Sequence, residues 1–270
     1  MAVWHRTDMA CKTRQRPAFV DSSKGELSLT WFNELKAEFV LNFIEKNRWR
    51  LLLSGLGNTL LMTAVALGIG IVIGIVIAVI RSTYETNGKK IRSPLARFLL
   101  AFFNRLCIIY TTVIRGTPMV VQLLILYYIV FATSRNGLMV AAFSFGLNSG
   151  AYVSEIFRGG IMSIEKGQME AGRSLGLNYV QTMWLIIAPQ MFRNVLPTLA
   201  NEFITLIKET SIAGYVAVMD LTCAGTRIRG VTFSPMMPLI AVALIYLVLV
   251  MALTWLTGKL ERRLRQSDIR

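Results

Sequence analysis

The sequence predicts an all-α integral membrane fold of five transmembrane helices, with the N-terminus outside the membrane and the C-terminus inside. Three observations carry this prediction. The 270 residues are 54% hydrophobic and only 16% charged, where a soluble domain would carry roughly 25% charged residues. The charge that is present is lopsided, 29 Lys and Arg against 15 Asp and Glu, for a net +14. The apolar residues also gather in long stretches separated by basic ones, as in membrane proteins whose inner loops hold the Lys and Arg. Disorder is excluded, since disordered chains are poor in apolar residues. A basic nucleic-acid-binding domain is excluded by the amount of lipid-like sequence.

Small counts remove further classes. His5 is the single histidine, so neither a histidine metal site nor a histidine-dependent triad is expected. Cys11, Cys107 and Cys223 are far apart with no CxxC pair and read as free thiols. No GxxxxGK[ST] or GxGxxG stretch occurs, so neither familiar nucleotide-binding loop is present. No metal, no cofactor and no catalysis are expected on this chain. Any energy for its function comes from elsewhere.

Residues 1–50 form an N-terminal extension without the pattern of a cleavable signal peptide; its first twenty residues read as dispensable. Trp31, Leu35, Phe39 and Phe43 recur every four residues among Asn33, Glu34, Lys36 and Glu38. This is an amphipathic helix with aromatic anchors, lying at the membrane interface or packing as an elbow on the bundle. Residues 56–80 hold no charge and as a helix would reach about 37 Å, enough to cross a hydrocarbon core of about 30 Å. Gly70 and Gly74 within it make a GxxxG pair, a mark of close helix contact.

The next stretch is less regular. Residues 99–113 are apolar but broken by Asn104 and Arg105, and Arg115-Gly116-Thr117-Pro118 interrupts before residues 119–133. Those fifteen charge-free residues are short for a span, so the second crossing is expected to borrow residues from before Pro118. A turn at residues 134–137 leads to a third span, 138–157, with Glu155 near its end. Residues 158–193 are polar and glycine-broken. A fourth span, about 195–212, is interrupted by Glu202, Lys208 and Glu209. Residues 220–235 read as a loop and 236–257 as a fifth span.

Charge then orients the bundle. Residues 81–97, 158–193 and 259–270 carry five, four and five Lys or Arg, and five spans place all three on one side. The turn near Ser134 has one and the 220–235 loop two. By the positive-inside rule the first three segments are cytoplasmic. The nine Lys and Arg of the N-terminal extension dissent, and the internal loops outvote them.

The functional signal lies in the polar segment. Glu170-Ala171-Gly172-Arg173-Ser174-Leu175-Gly176 is followed after nine residues by Ile186-Ile187-Ala188-Pro189. This resembles the EAA motif of permease subunits in bacterial ATP-binding cassette (ABC) importers, with Gly172 for the third small residue and Ala188 for a leucine. On its own the segment reads as a short helix, a glycine turn at Gly176 and a second amphipathic stretch up to Pro189. Three more runs point to the polar amino-acid uptake branch (histidine-, glutamine- and arginine-type systems). Arg115-Gly116-Thr117-Pro118-Met119-Val120-Val121-Gln122 is similar to its RGTP-x-x-VQ signature. The run from Asn148 through Ser149-Gly150-Ala151-Tyr152 to Glu155-Ile156-Phe157-Arg158-Gly159-Gly160-Ile161 is similar to its SGAY-x-x-EI-x-RGGI element. Ile207-Lys208-Glu209-Thr210-Ser211 resembles IK-D-TS, with Glu209 for aspartate.

The resemblance implies the type I, EAA-loop permease fold over residues 51–265, with a coupling loop at about 163–190. It implies that Glu170, Ala171, Gly172, Gly176, Ile186 and Pro189 form the elbow that docks on an ATPase subunit, which holds the ATP and Mg. The other implied partners are an extracytoplasmic amino-acid-binding protein and a second permease copy, identical or similar, in the bacterial cytoplasmic membrane; no nucleic acid is involved. Glu155, with Asn148 and Tyr152 at i−7 and i−3, is a candidate for the substrate path, as is Arg115. A carboxylate at membrane depth needs a partner or a wet path; Glu155 meets a substrate amino group, pairs with Arg158, or caps a helix. Arg115 anchors the loop or meets a substrate carboxylate. Residues 220–226 touch the binding protein or simply connect two spans. The rival class is an ion-coupled secondary transporter, which needs buried ion sites and often shows internal repeats; no clear repeat is present. An exporter or channel is disfavoured by the likeness of residues 170–189 to importers.

Overall fold

The computed structural model describes residues 24–88 and 93–267, and every element among them is helical. Expectations resting on residues 1–23, on Lys89, Lys90 and Arg92, and on residues 268–270 lie outside the described residues. The chain opens with α1 (Lys24–Phe39), which passes through a π turn, Val40–Ile44, and a 3-10 turn, Glu45–Asn47, into α2 (Trp49–Asn87). The 39 residues of α2 overrun the predicted span at both ends, because no proline interrupts them and the first break is Gly88.

Helix α3 (Pro94–Gly116) starts where the Ser93 side chain accepts from the amide of Ala96 and Pro94 occupies the first turn, where its missing N–H costs nothing. Asn104, Cys107 and Thr111 form its buried face, while Phe102, Phe103 and Leu106 are exposed. The apparent break at Asn104-Arg105 is therefore one turn of an amphipathic helix. At 23 residues α3 is long and apolar enough to cross a membrane without residues from beyond Pro118. Thr117 is extended, as a residue before proline prefers. The chain restarts as α4 (Met119–Ile125), continued by the π turn Leu126–Val130.

Next come α5 (Gly137–Met162), two short helices to be described below, α8 (Ala188–Glu209), a 3-10 segment, Thr210–Val216, then α9 (Leu221–Thr232) and α10 (Met236–Ser267). Residues 221–232, expected as a loop, are helical. Asp220 caps them, its carboxylate accepting from the amides of Thr222 (3.0 Å) and Cys223 (2.9 Å), and Leu221, Ala224 and Ile228 form a buried stripe at helical spacing.

By length and composition Trp49–Thr86, Pro94–Gly116 and Met236–Leu264 can cross a membrane. Helices α5 and α8 are 26 and 22 residues long; α5 buries Ser144, Asn148, Ser149 and Ser154, while α8 turns Glu202 toward α5 and leaves Asn194, Asn201, Thr205 and Lys208 exposed. Helix α5 is central, packed against α2, α3, α4 and α8. Paired contacts show that α2 and α5 run parallel: Ile69 meets Gly146, Ile73 meets Gly150, Gly70 meets Ser149 and Gly74 meets Val153. A Cβ at Gly70 would lie 2.9 Å from Ser149 Oγ, and one at Gly74 2.5 Å from Val153 Cγ1. The GxxxG pair thus admits α5 to the surface of α2, close enough for dispersion to hold two spans together. Helix α8 runs opposite to α5, since Gly160 meets Val195 while Ser149 meets Glu202.

The N-terminal stripe divides. Trp31 and Phe39 remain exposed, while Phe43 is buried with Leu52, Leu221, Ile228 and Val242. Beside it the fully buried Asn42 accepts from the Thr232 hydroxyl (2.7 Å) and donates to the Glu38 carbonyl (2.8 Å). This fastens the end of the arm to α9.

Candidate functional site

Two groups of residues carry the functional signal: a glycine-turned elbow at one end of the bundle and a polar cluster along α5. The elbow consists of α6 (Lys166–Ser174), α7 (Tyr179–Thr182) and a π turn, Met183–Ile187, that merges into α8. Helix α6 closes with a Schellman turn, in which the Leu177 amide reaches the Gly172 carbonyl (3.1 Å) and the Gly176 amide reaches that of Arg173 (3.0 Å). Gly176 has φ +86°, the left-handed conformation that a Cβ disfavours. Asn178 and Gln181 then form a reciprocal capping box that starts α7.

Gly172 is the buried residue of α6. It faces Thr182 and Ile186, so the two halves of the predicted motif meet here. Glu170 and Ala171 remain exposed to solvent. Pro189 lies past the elbow, in the first turn of α8. The expected second short helix does not stop at Pro189, because the π turn before it accommodates a residue with no amide to donate. Tyr179 brings its hydroxyl toward Thr83 of α2, and burial pushes its pKa up.

Along α5 the predicted substrate-path residues separate into different settings. Asn148 is buried and donates to Gln122 Oε1 (3.1 Å), while the Gln122 amide donates to the carbonyl of Ile114 (2.7 Å). The RGTP-x-x-VQ run is thereby folded onto the SGAY run. Tyr152 is partly exposed and lies 5.5 Å beneath the Arg115 guanidinium, a cation–π pair worth roughly 0.5–2 kcal/mol. Glu155 is held from both sides: Arg158 donates to Oε2 from Nε (2.9 Å) and Nη2 (2.8 Å), and Arg81 of α2 donates to Oε1. Its charge is met within the chain.

In the sequence Glu202 reads only as an interruption of the fourth span. It accepts from Ser149 Oγ (2.9 Å), next to Asn148, and faces no cation within ion-pair distance among the described residues. Glu209 follows two turns later on the same side of α8, within electrostatic reach of Glu202. The available signal was two carboxylates at i and i+7 in an apolar stretch. Among the described residues no three His, Cys, Asp or Glu side chains gather where a metal could be held.

The family described as binding-protein-dependent transport system inner membrane component matches residues 94–266. The arginine transport system permease protein ArtQ of Bacillus subtilis (strain 168) is 42% identical over 164 residues, covering 59% of this chain and 74% of the relative. The L-cystine transport system permease protein TcyB of the same organism is 33% identical over 226 residues, covering 83% and 90%. Among solved structures, the crystal structure of an amino acid ABC transporter with histidines superposes with a TM-score of 0.69 at 34% identity, covering 82% of this chain and 98% of that one. The inward-facing MetNI methionine ABC transporter shares the fold at a TM-score of 0.68 and 21% identity, with the same coverages. With the glycine-turned elbow, the polar α5 and these matches in place, the chain belongs to the family of binding-protein-dependent transport system inner membrane components, as an ABC importer permease of the polar amino-acid branch.

Proposed function

We propose that this chain is the membrane half of a bacterial importer for a polar amino acid. A binding protein delivers the substrate from outside, and ATP hydrolysis on a separate subunit drives its passage. In this reading five spans cross the cytoplasmic membrane with the N-terminus outside, and residues 51–265 form the permease body behind the N-terminal extension. A second permease copy completes the path, and ATP and Mg stay on the partner ATPase. The observation that supports it best is the elbow, where Gly172, Ile186 and Gly176 hold α6 at a fixed angle with Glu170 and Ala171 free to enter a partner's cleft. ATP binding draws two such elbows together and opens the path outward; hydrolysis resets it.

Arg115, Tyr152 and Asn148 line the substrate path in this proposal, with Glu202 and Glu209 as its negative end. Glu155, already neutralised by two arginines, marks the path's lower limit and braces α2 against α5. An isolated carboxylate at membrane depth is costly, and a substrate ammonium group relieves that cost at Glu202. The permease relatives named for arginine and cystine fit a substrate with an amino group. An uptake competition series with the twenty amino acids, run on the reconstituted importer, tests the substrate class. Strong competition by amino acids and none by sugars or peptides is expected; the reverse refutes it.

A further inference from the structure

A cavity of about 460 Å³ opens where the elbow meets the bundle, a size within the range of ligand pockets, about 300–1,000 Å³. Its walls come from α2, α5, the elbow and α8: Ile75 and Val79, Phe157, Met183 and Trp184, and Phe192. Ser82, Thr83 and Tyr179 are its polar lining residues. No buried side-chain donor or acceptor on the walls lacks a partner; among the described residues the one such atom is Ser234 Oγ, in another part of the chain. Beyond the Ser82, Thr83 and Tyr179 hydroxyls the walls offer a polar amino acid little to bind. A peptide segment would bring more backbone N–H and C=O groups than these few hydroxyls can satisfy.

The mouth shows what fits instead. Val79, Val180 and Trp184 are 53%, 61% and 70% exposed. Val72 and Val76 continue from Val79 up the same face of the spanning helix α2, 65% and 53% exposed. The cavity is therefore continuous with an apolar stripe running along a membrane span. A hydrocarbon chain lying along that stripe enters without leaving an apolar medium and without carrying an unpaired polar group.

We propose that this cavity is a lipid site, occupied by one acyl chain of a bilayer phospholipid wedged between the coupling elbow and α2. Because Met183 and Trp184 belong to the elbow while Ile75 and Val79 belong to α2, the acyl chain bridges the element that receives the ATPase and the bundle that holds the path.

Trp184 supplies the probe. In the assembled importer, with Trp4, Trp31, Trp49 and Trp255 changed to Phe, Trp184 fluorescence is followed in detergent as a phospholipid brominated on its acyl chains is added. Saturable quenching is expected, with an apparent affinity about tenfold weaker in Val79→Phe, whose ring fills the mouth. Ala188→Leu, which fills the opposite wall, should weaken it likewise if Val79→Phe fails to assemble. Quenching that rises without saturation and equally in all three proteins would mean bulk lipid only and overturn the site. Quenching in the isolated permease that disappears in the assembled importer would mean that a protein partner covers the cavity, and overturn it as well. Neither outcome touches the transport reading, which ATP-driven uptake tests separately.

Discussion

Gly172 lies so close to Thr182 that a Cβ on the glycine would fall 2.5 Å from the threonine Cγ2, with Ile186 Cδ1 at 2.9 Å. The elbow angle is therefore set by a contact that has no room for a methyl group. Gly172→Ala should force the two halves apart, at a cost of about 1–3 kcal/mol typical of overpacking, and reduce ATP-driven uptake. Thr182→Ser removes the offending Cγ2 and keeps the hydroxyl bonded to the Asn178 carbonyl. The double variant should regain most of the uptake lost by the single one. Equal loss in both would show that packing at this contact does not set the elbow.

Gly176 makes a separate demand. Nothing lies within 4 Å of where its Cβ would be, so a substitution there meets backbone strain alone, about 1–2 kcal/mol for most residues and less for asparagine. Membrane levels should stay constant while ATPase coupling falls in the order asparagine, alanine, valine. An unordered series, or loss of the protein from the membrane, counts against a role confined to the turn.

Two carboxylates of the membrane region, Glu155 and Glu202, should separate by phenotype. Glu155→Gln removes the charge that Arg81 and Arg158 share and should lower the melting midpoint, by about 2 kcal/mol of stability. Glu202→Gln keeps an acceptor for Ser149 and should leave the midpoint unchanged while slowing amino-acid uptake. Thermal melts and initial uptake rates on the same preparations decide. A destabilised Glu202→Gln with normal uptake per folded molecule would reverse the assignment.

These assignments show what one chain's residues disclose unaided. Helices α2 and α10 were legible because uninterrupted apolar runs leave few alternatives, and the elbow because Gly176 and the spacing to Pro189 are local. Arg158 was legible as a partner of Glu155 because three residues on a helix is a contact distance. Arg81 was not: it lies 74 residues away and reads as a charge after a span until α2 and α5 are placed in parallel. Helix α3 is obscured in the sequence because its order is periodic and not a continuous apolar run, with Asn104 turned inward and Arg105 outward. Helix α9 reads as a loop in the sequence because its buried stripe is short and its cap, Asp220, looks like any turn residue.

The N-terminal arm offers a test on stability alone. Asn42→Ala removes the acceptor for Thr232 and leaves the Glu38 carbonyl without its donor, a loss of about 1–2 kcal/mol. Phe43→Ala empties a buried site shared with α9 and should cost more, about 3 kcal/mol. Both should lower the melting midpoint of the purified permease, Phe43→Ala further. Unchanged midpoints would mean that the arm does not hold α9.

The central claim is that the elbow transmits ATP energy from a separate subunit to a path for a polar amino acid. Its most direct test is radiolabelled amino-acid uptake into proteoliposomes holding permease and ATPase, with loaded binding protein outside and ATP supplied to the ATPase side. Uptake is predicted to require ATP and ATPase, and to vanish in Gly176→Arg at equal permease incorporation. Accumulation driven by a sodium or proton gradient without the ATPase, or wild-type uptake in Gly176→Arg, would contradict the account.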